Sequence, residues 1–325
     1  MHQKKLNDED DQTTTLIVDK EASGKRIDSF ITSKIPEKSR SYIQKLIEAN
    51  AVTVGGKNIG KNYRVSTYDR IDIKNADQFE ISPHIKPEAL RLKIRYEDAH
   101  LVIISKDPGI SVHPSQGHYN NTLVNAILYY YKNKNIEGSF SDVARTGIVH
   151  RLDKYTSGLI IAAKNDQVQR KLSDLFKDRK IQKVYAALVL GTFNEKRGKI
   201  ILPIGRSRLD RTKMAVSVDM GREAVTEFEV LEEFNNCTLL NVFPKTGRTH
   251  QIRIHLSYIN HPVIGDSRYG SKESLQIARD ISLLRQFLHA KKLSFIHPVL
   301  NVKVEIEDSL SEDLQNSLKI LREKF

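Results

Sequence analysis

"TEFEVLEEFNNCTLLNVF", residues 226–243, places two strand-like runs in immediate succession. Four more runs of the same kind lie upstream: "LKIRYED" (92–98), "LVIISKD" (101–107), "GLIIAAK" (158–164) and "KVYAALVLG" (183–191). Each is short, apolar and rich in β-formers, as strands are. Two stretches have helical spacing instead. "DQVQRKLSDLFKDRK" (166–180) aligns Val168, Leu172, Leu175 and Phe176 on one stripe, and "SEDLQNSLKIL" (311–321) aligns Leu314, Leu318 and Leu321. Strands that cluster in pairs, without a helix between each two, predict an α+β fold on a largely antiparallel sheet with flanking helices.

The first part of the chain reads differently. Residues 1–14 are polar and charged, which predicts a disordered tail. Within 24–73, Ile27, Phe30 and Ile31 fall at helical spacing, and Ser39 is placed to cap a second helix bearing Ile43, Leu46 and Ile47. "AVTV" and "RIDIK" then alternate as strands around a glycine-rich turn. The expected organisation is a small α/β module over 15–75, a proline-bearing linker over 76–91, and a large domain over 92–325.

Composition bounds the function. Lys and Arg outnumber Asp and Glu by 52 to 40 in 325 residues, a formal charge of +12, which points to an extended anionic partner, nucleic acid first. The single cysteine, Cys237, excludes an intramolecular disulfide and a cysteine-built zinc site, and its apolar surroundings predict a buried filler. No signal-peptide core or spanning segment is visible, so a cytoplasmic protein without a membrane partner is expected.

Three motifs invite a site. "GGKNIGKN" (55–62) nearly matches a phosphate-binding loop, but Asn62 replaces the hydroxyl residue and no helix follows, so a hairpin turn is the better reading. His250, His255 and His261 have spacings that put them on different faces of either element, which argues against a metal site. In "KTGRTHQIRIH" (245–255), Thr249 is a candidate cap for a helix carrying Ile252, Leu256 and Ile259, although alternation of Ile252, Ile254 and Leu256 also fits a strand. Arg248 and Arg253 project from this element and call for carboxylate or phosphate partners. In "HRLDKYTSGL" (150–159), Asp153 stands just before a buried strand. That is the place of an exposed turn or of a catalytic carboxylate at a cleft mouth.

"HRLDKYTSGLIIAAK" resembles the signature of the RluA/RluD-like pseudouridine synthases. "YEDAHLVIISKDPGISVHPSQG", "KVYAALVLG", "TGRTHQIRIHLSYINHPVIGDSRYG" and "LHAKKLSFIHP" follow the same family in order and spacing, covering about 92–325. "RIDSFI", "SRSYIQKLI" and "AVTVGGK" are similar to the small RNA-binding module first named from a small-subunit ribosomal protein. The resemblance implies an isomerase that detaches uracil from ribose, turns it and rejoins it through carbon 5, on large-subunit ribosomal RNA or an assembling subunit before transfer RNA. It makes Asp153 the catalytic carboxylate, Arg253 its partner, Tyr185 the aromatic face for the flipped base, and Arg151 the side chain that fills the vacated stack. Lys25, Arg26, Arg40, Lys45, Lys57 and Lys61 would carry RNA on the module. Nothing is oxidised and nothing leaves, so neither a cofactor nor a metal is expected; a monomer is. Ser105 and Asp107 stand where the family usually has asparagine and proline, and Tyr68 where the module usually has glycine. The competing classes are a non-catalytic RNA-binding or assembly factor on this scaffold and a metal-dependent RNA hydrolase.

Overall fold

The computed structural model describes residues 13–35, 40–74, 85–114, 119–136, 147–207, 210 and 212–324. The chain divides into two compact units at His84 and Ile85.

The first unit has strands β1 (Thr14–Ile17), β2 (Val52–Val54), β3 (Lys57–Asn58) and β4 (Arg70–Ile73), in the order β1-β4-β2-β3, with helices α1 (Ile27–Lys34) and α2 (Arg40–Glu48). Ile27, Phe30, Ile31, Ile43, Leu46 and Ile47 form its buried core with Val52 and Ile71. Six such side chains contribute roughly 2 kcal/mol each. "GGKNIGKN" opens with a hairpin turn: Gly55 and Gly56 have φ of 54° and 78°, as a two-residue turn between β2 and β3 demands. Thr14, assigned above to the tail, is already paired with Ile73; most of that tail and the Ser39 cap lie outside the described residues. Strand β1 escapes a sequence reading because "TTLI" is too short and polar to signal itself.

The second unit is built on nine strands: β5 (Lys93–Glu97), β6 (Leu101–Lys106), β7 (Ser157–Ala163), β8 (Gln182–Leu190), β9 (Arg197–Ile201), β12 (Val225–Phe234), β13 (Cys237–Pro244), β14 (Leu288–Ile296) and β15 (Lys303–Glu307). β10 (Ile204–Arg206) and β11 (Met214–Val216) make a separate hairpin. The sheet order is β5-β6-β7-β14-β8-β13-β12-β9, with β15 also on β14. All pairings are antiparallel except β7 with β14, so the fold is the α+β arrangement that the paired strands predict. The expected linker falls partly outside the described residues; Ile85 belongs to the core of this unit.

β6 and β7 are covered on both faces, which is why "LIIAA" reads as continuously apolar. Val102, Ile104, Ile160 and Ala162 pack with Val124 and Ile127 of helix α3 (Leu123–Asn133). Leu101, Ile103, Leu159 and Ile161 pack with Val168 and Leu172 of α4 (Asp166–Lys177). Helix α5 (Gln251–Tyr258) lies over β12 and β13, while α6 (Lys272–Asp280) and α7 (Glu312–Lys324) share a core with Leu188, Leu239 and Phe287. α7 buries Leu314, Leu318 and Leu321, the predicted stripe. Cys237 is buried in the same core, and burial pushes its thiol up to about 12. Among the described residues no helix is long and apolar enough to cross a membrane.

Candidate active site

Residues 153–156 form a hydrogen-bonded turn, with the Thr156 amide donating to the Asp153 carbonyl at 3.0 Å. The turn delivers the chain to the start of β7. There Gly158 lies beside Ala290 of β14 with φ of 108°, and a side chain at Gly158 would meet the Ala290 carbonyl oxygen at 2.3 Å. Ala290 in turn faces Tyr185 of β8. A row across three strands therefore brings Tyr185 towards Asp153. Burial, with help from the Asp153 charge, pushes the Tyr185 phenol well above its ordinary value, so it is a neutral hydroxyl.

Arg253 arrives from α5. Its Nη1 donates to Asp153 Oδ2 at 2.9 Å, while Nε and Nη2 form a fork on Asp266 at 2.6 and 2.7 Å. The Asp266 side chain is fully buried, and Asp153 keeps 18% of its side chain exposed. Burial raises Asp266, but the Arg253 fork and the amides of Arg268 and Tyr269 outweigh it and hold the carboxyl below its usual range. Burial also works against the Arg253 charge, yet the two carboxylates leave it raised. The Tyr269 ring covers the guanidinium at 5.1 Å, and its hydroxyl meets His250 Nδ1 at 2.8 Å. His250 Nε2 lies 3.8 Å from Asp153 Oδ1, and burial keeps the imidazole below its ordinary pKa.

The helix reading of 251–258 is correct, but Thr249 does not cap it. His250 occupies the cap position in the left-handed region (φ 57°) without a side-chain bond. Buried Gln251 fixes the start of the helix in place: its Oε1 accepts from the Arg248 amide and the Thr246 hydroxyl, and its Nε2 donates to Val225 and Thr226. These bonds anchor the first residue of α5 to the loop before it and to β12; none of the four partners is a first-turn amide of the helix. Arg248 donates to the Glu223 carbonyl, a different partner from the carboxylate or phosphate sought for it.

Elsewhere in "HRLDKY", Arg151 is exposed and makes no ion pair among the described residues. His150 stacks on Phe176 at 4.5 Å and accepts from the Ile161 amide; burial pushes it down to about 3, so it is a neutral structural group. The other histidines go separate ways: His255 to Thr226 and Leu202, His261 to the Leu190 carbonyl. Among the described residues no three His, Cys, Asp or Glu side chains gather as metal ligands.

On the first unit, Arg26 and Arg40 both bind buried Asp28, joined by Gln44. Lys61 pairs with Glu48. Lys25 and Lys57 are exposed, Lys45 half-buried, none with a carboxylate partner among the described residues. Tyr68 stands at φ 69°, the backbone region that explains the usual glycine there. Ser105 donates to Asp308, and Asp107 pairs with Lys93. Asp266, His250 and Tyr269 are site residues that sequence reasoning missed. "GDSRYG" held two of them, but spacing does not say which of 40 acids meets which arginine.

Residues 100–258 match the family model described as RNA pseudouridylate synthase, and residues 25–71 match the S4 domain. The chain is 36% identical to "Uncharacterized RNA pseudouridine synthase YlyB" of Bacillus subtilis, over 93% of this chain and 96% of that protein. It is 39% identical to "Ribosomal large subunit pseudouridine synthase D" of Nitrosomonas europaea, over 97% and 89%. The human "RNA Pseudouridylate Synthase Domain Containing 4" superposes with a TM-score of 0.56 at 24% identity, over 71% of this chain and 93% of that one, a likeness of fold. The chain thus belongs to the RNA pseudouridine synthase family and is an isomerase, its catalytic unit preceded by an S4 domain.

Proposed function

We propose that this enzyme converts uridines of large-subunit ribosomal RNA to pseudouridine, with Asp153 as its catalytic carboxylate. The observation that carries the chemistry is the single Arg253 bond on a partly exposed Asp153, beside a neutral Tyr185. The choice of RNA is supported by relatives named for the large ribosomal subunit.

A base cannot turn inside a stack, so the target uridine is everted into the pocket. Arg151, exposed and without an internal partner among the described residues, stacks in the vacated place. Tyr185 offers the flipped base an aromatic face, worth roughly 1–3 kcal/mol. Its raised pKa keeps a proton on the phenol that can serve proton transfer at the sugar or carbon 5. Asp153 acts ionised, by attack on sugar or base or by assisting glycal formation. Arg253 holds one oxygen of the carboxylate by a single hydrogen bond.

Mapping pseudouridines in total RNA from cells lacking the gene tests the reading. Loss of sites in large-subunit RNA, restored by the wild-type gene and not by Asp153→Asn, is the expected result. Loss confined to transfer RNA overturns the choice of substrate, and restoration by Asp153→Asn overturns the role of the aspartate.

A further inference from the structure

The turn that carries Asp153 is held from behind by two buried basic side chains that take no part in the chemistry above. Lys106, at the end of β6, donates from Nζ to the carbonyls of Lys154 at 3.1 Å, Asp107 at 2.8 Å and Ile110 at 3.0 Å. The Gly109 amide adds a second bond to the Lys154 carbonyl. Arg285, just before β14, donates from Nη1 to the Tyr155 carbonyl at 2.9 Å and from Nη2 to Ser157 Oγ at 3.1 Å. Together with the Thr156 amide, these bonds satisfy the carbonyls of Asp153, Lys154 and Tyr155 in succession.

Arg285 also looks the other way. Its Nε and Nη2 form a fork on Asp313 at 2.6 and 3.0 Å, and Nη2 reaches Ser311 Oγ at 2.8 Å, in the residues that open α7. An alignment of Ser157, His289 and Asp308 nearby has the look of a nucleophile, but the Ser157 oxygen accepts from Arg285 and is buried, so it serves the same scaffold.

We propose that Arg285 is a positioning residue for the isomerisation, fixing the Asp153 turn against the C-terminal helix α7. This rests on the reading of Asp153 as the catalytic carboxylate. The physical argument is geometric: a carboxylate with one arginine bond is oriented chiefly by its own backbone, and that backbone is pinned by side chains from the end of β6 and from just before β14, the two strands that flank β7. A guanidinium can meet a carbonyl, a hydroxyl and a carboxylate at once, which an ammonium cannot do in one plane. Misplacing a reacting group by about 1 Å costs on the order of 100-fold in rate.

The test measures pseudouridine formed by the full-length enzyme in total RNA from cells lacking the gene, at varied RNA concentration. This readout does not depend on which RNA class holds the target, so a wrong substrate assignment shows in the location of the product, not in the ratio of variant to wild type. Failure of the Asp153 reading shows separately, as turnover by Asp153→Asn in the same assay. Arg285→Gln is expected to lower kcat about 100-fold with KM within about twofold, and Arg285→Lys to recover about a tenth of the wild-type rate. Asp313→Asn, at a side chain 42% exposed, keeps the fold in reach and should lower kcat several-fold at unchanged KM. Wild-type kcat in Arg285→Gln overturns the proposal, as does a parallel loss of kcat and RNA binding. If Arg285→Gln does not fold, wild-type kcat in Asp313→Asn overturns it, and a lowered kcat at unchanged KM supports it.

Discussion

The two units solve the problem of a carboxylate among arginines in opposite ways. In the first, one buried acid, Asp28, has two guanidiniums and an amide. In the second, one buried guanidinium, Arg253, has two acids, and divides its bonds unequally: a fork to Asp266, a single bond to Asp153. Asp28 is oversupplied and sealed, so it does nothing but hold α1 to α2. Asp153 is undersupplied and partly open, with one oxygen bonded to Arg253 and its side chain 18% exposed, as the role proposed for it requires. The acid that receives fewer bonds is the one proposed to react.

The sharpest attack on this contrast is Asp153→Asn. The shape is kept and the charge is lost, so the rate should fall by more than about 1,000-fold while RNA affinity stays within about twofold. Single-turnover assays with a parallel binding titration check it; appreciable turnover breaks the assignment.

Arg253→Met comes next. It frees Asp153 and also strands Asp266, so rate and stability should fall together, by about 100-fold and on the order of 3 kcal/mol. A loss of stability with an unchanged single-turnover rate would mean that Arg253 is a strut for Asp266 alone.

Asp28→Asn should act on stability and leave chemistry alone. Loss of the charge that Arg26 and Arg40 share should cost the first unit roughly 2 kcal/mol in denaturant melts. Burial raises the Asp28 carboxyl, but the two arginines and Gln44 hold it far below its ordinary value. Its contribution is therefore present above the unfolded pKa of about 3.9 and is lost as pH falls below that. Equal acid sensitivity of wild type and variant would remove the contrast between the units.

The smallest effect belongs to three lysines of the first unit. Replacing Lys25, Lys45 and Lys57 together by Gln should reduce the salt slope of RNA binding by about 0.7 per lost phosphate contact, with kcat unchanged. An identical slope would show that these side chains face away from RNA.

The strands β5 to β8, β12 and β13, the α4 and α7 stripes and the α+β class were legible because burial on one or two faces writes a period into the residues; β9, β14 and β15 were not read as strands. Helix α3 was not read, although Thr122 and Asn125 form a capping box, because three consecutive tyrosines blur its stripe. The S4-like core showed through Ile27, Phe30 and Ile31, while β1 was too short to signal. At the site, the family resemblance pointed to Asp153 and Arg253. The supporting shell stayed hidden, since Asp266, His250 and Arg285 act through contacts that no local pattern encodes.

The parallel pairing of β7 with β14 has a consequence for biogenesis. Asp153 precedes Arg253 by 100 positions, and Tyr155 precedes Arg285 by 130. A nascent chain can close its N-terminal unit from neighbouring segments as soon as these leave the ribosome. The aspartate turn, by contrast, waits for Arg253, Arg285 and β14 to emerge before it is held, because β14 inserts between β7 and β8, strands made long before it. Synthesis thus delivers an RNA-binding module first and a competent catalyst last.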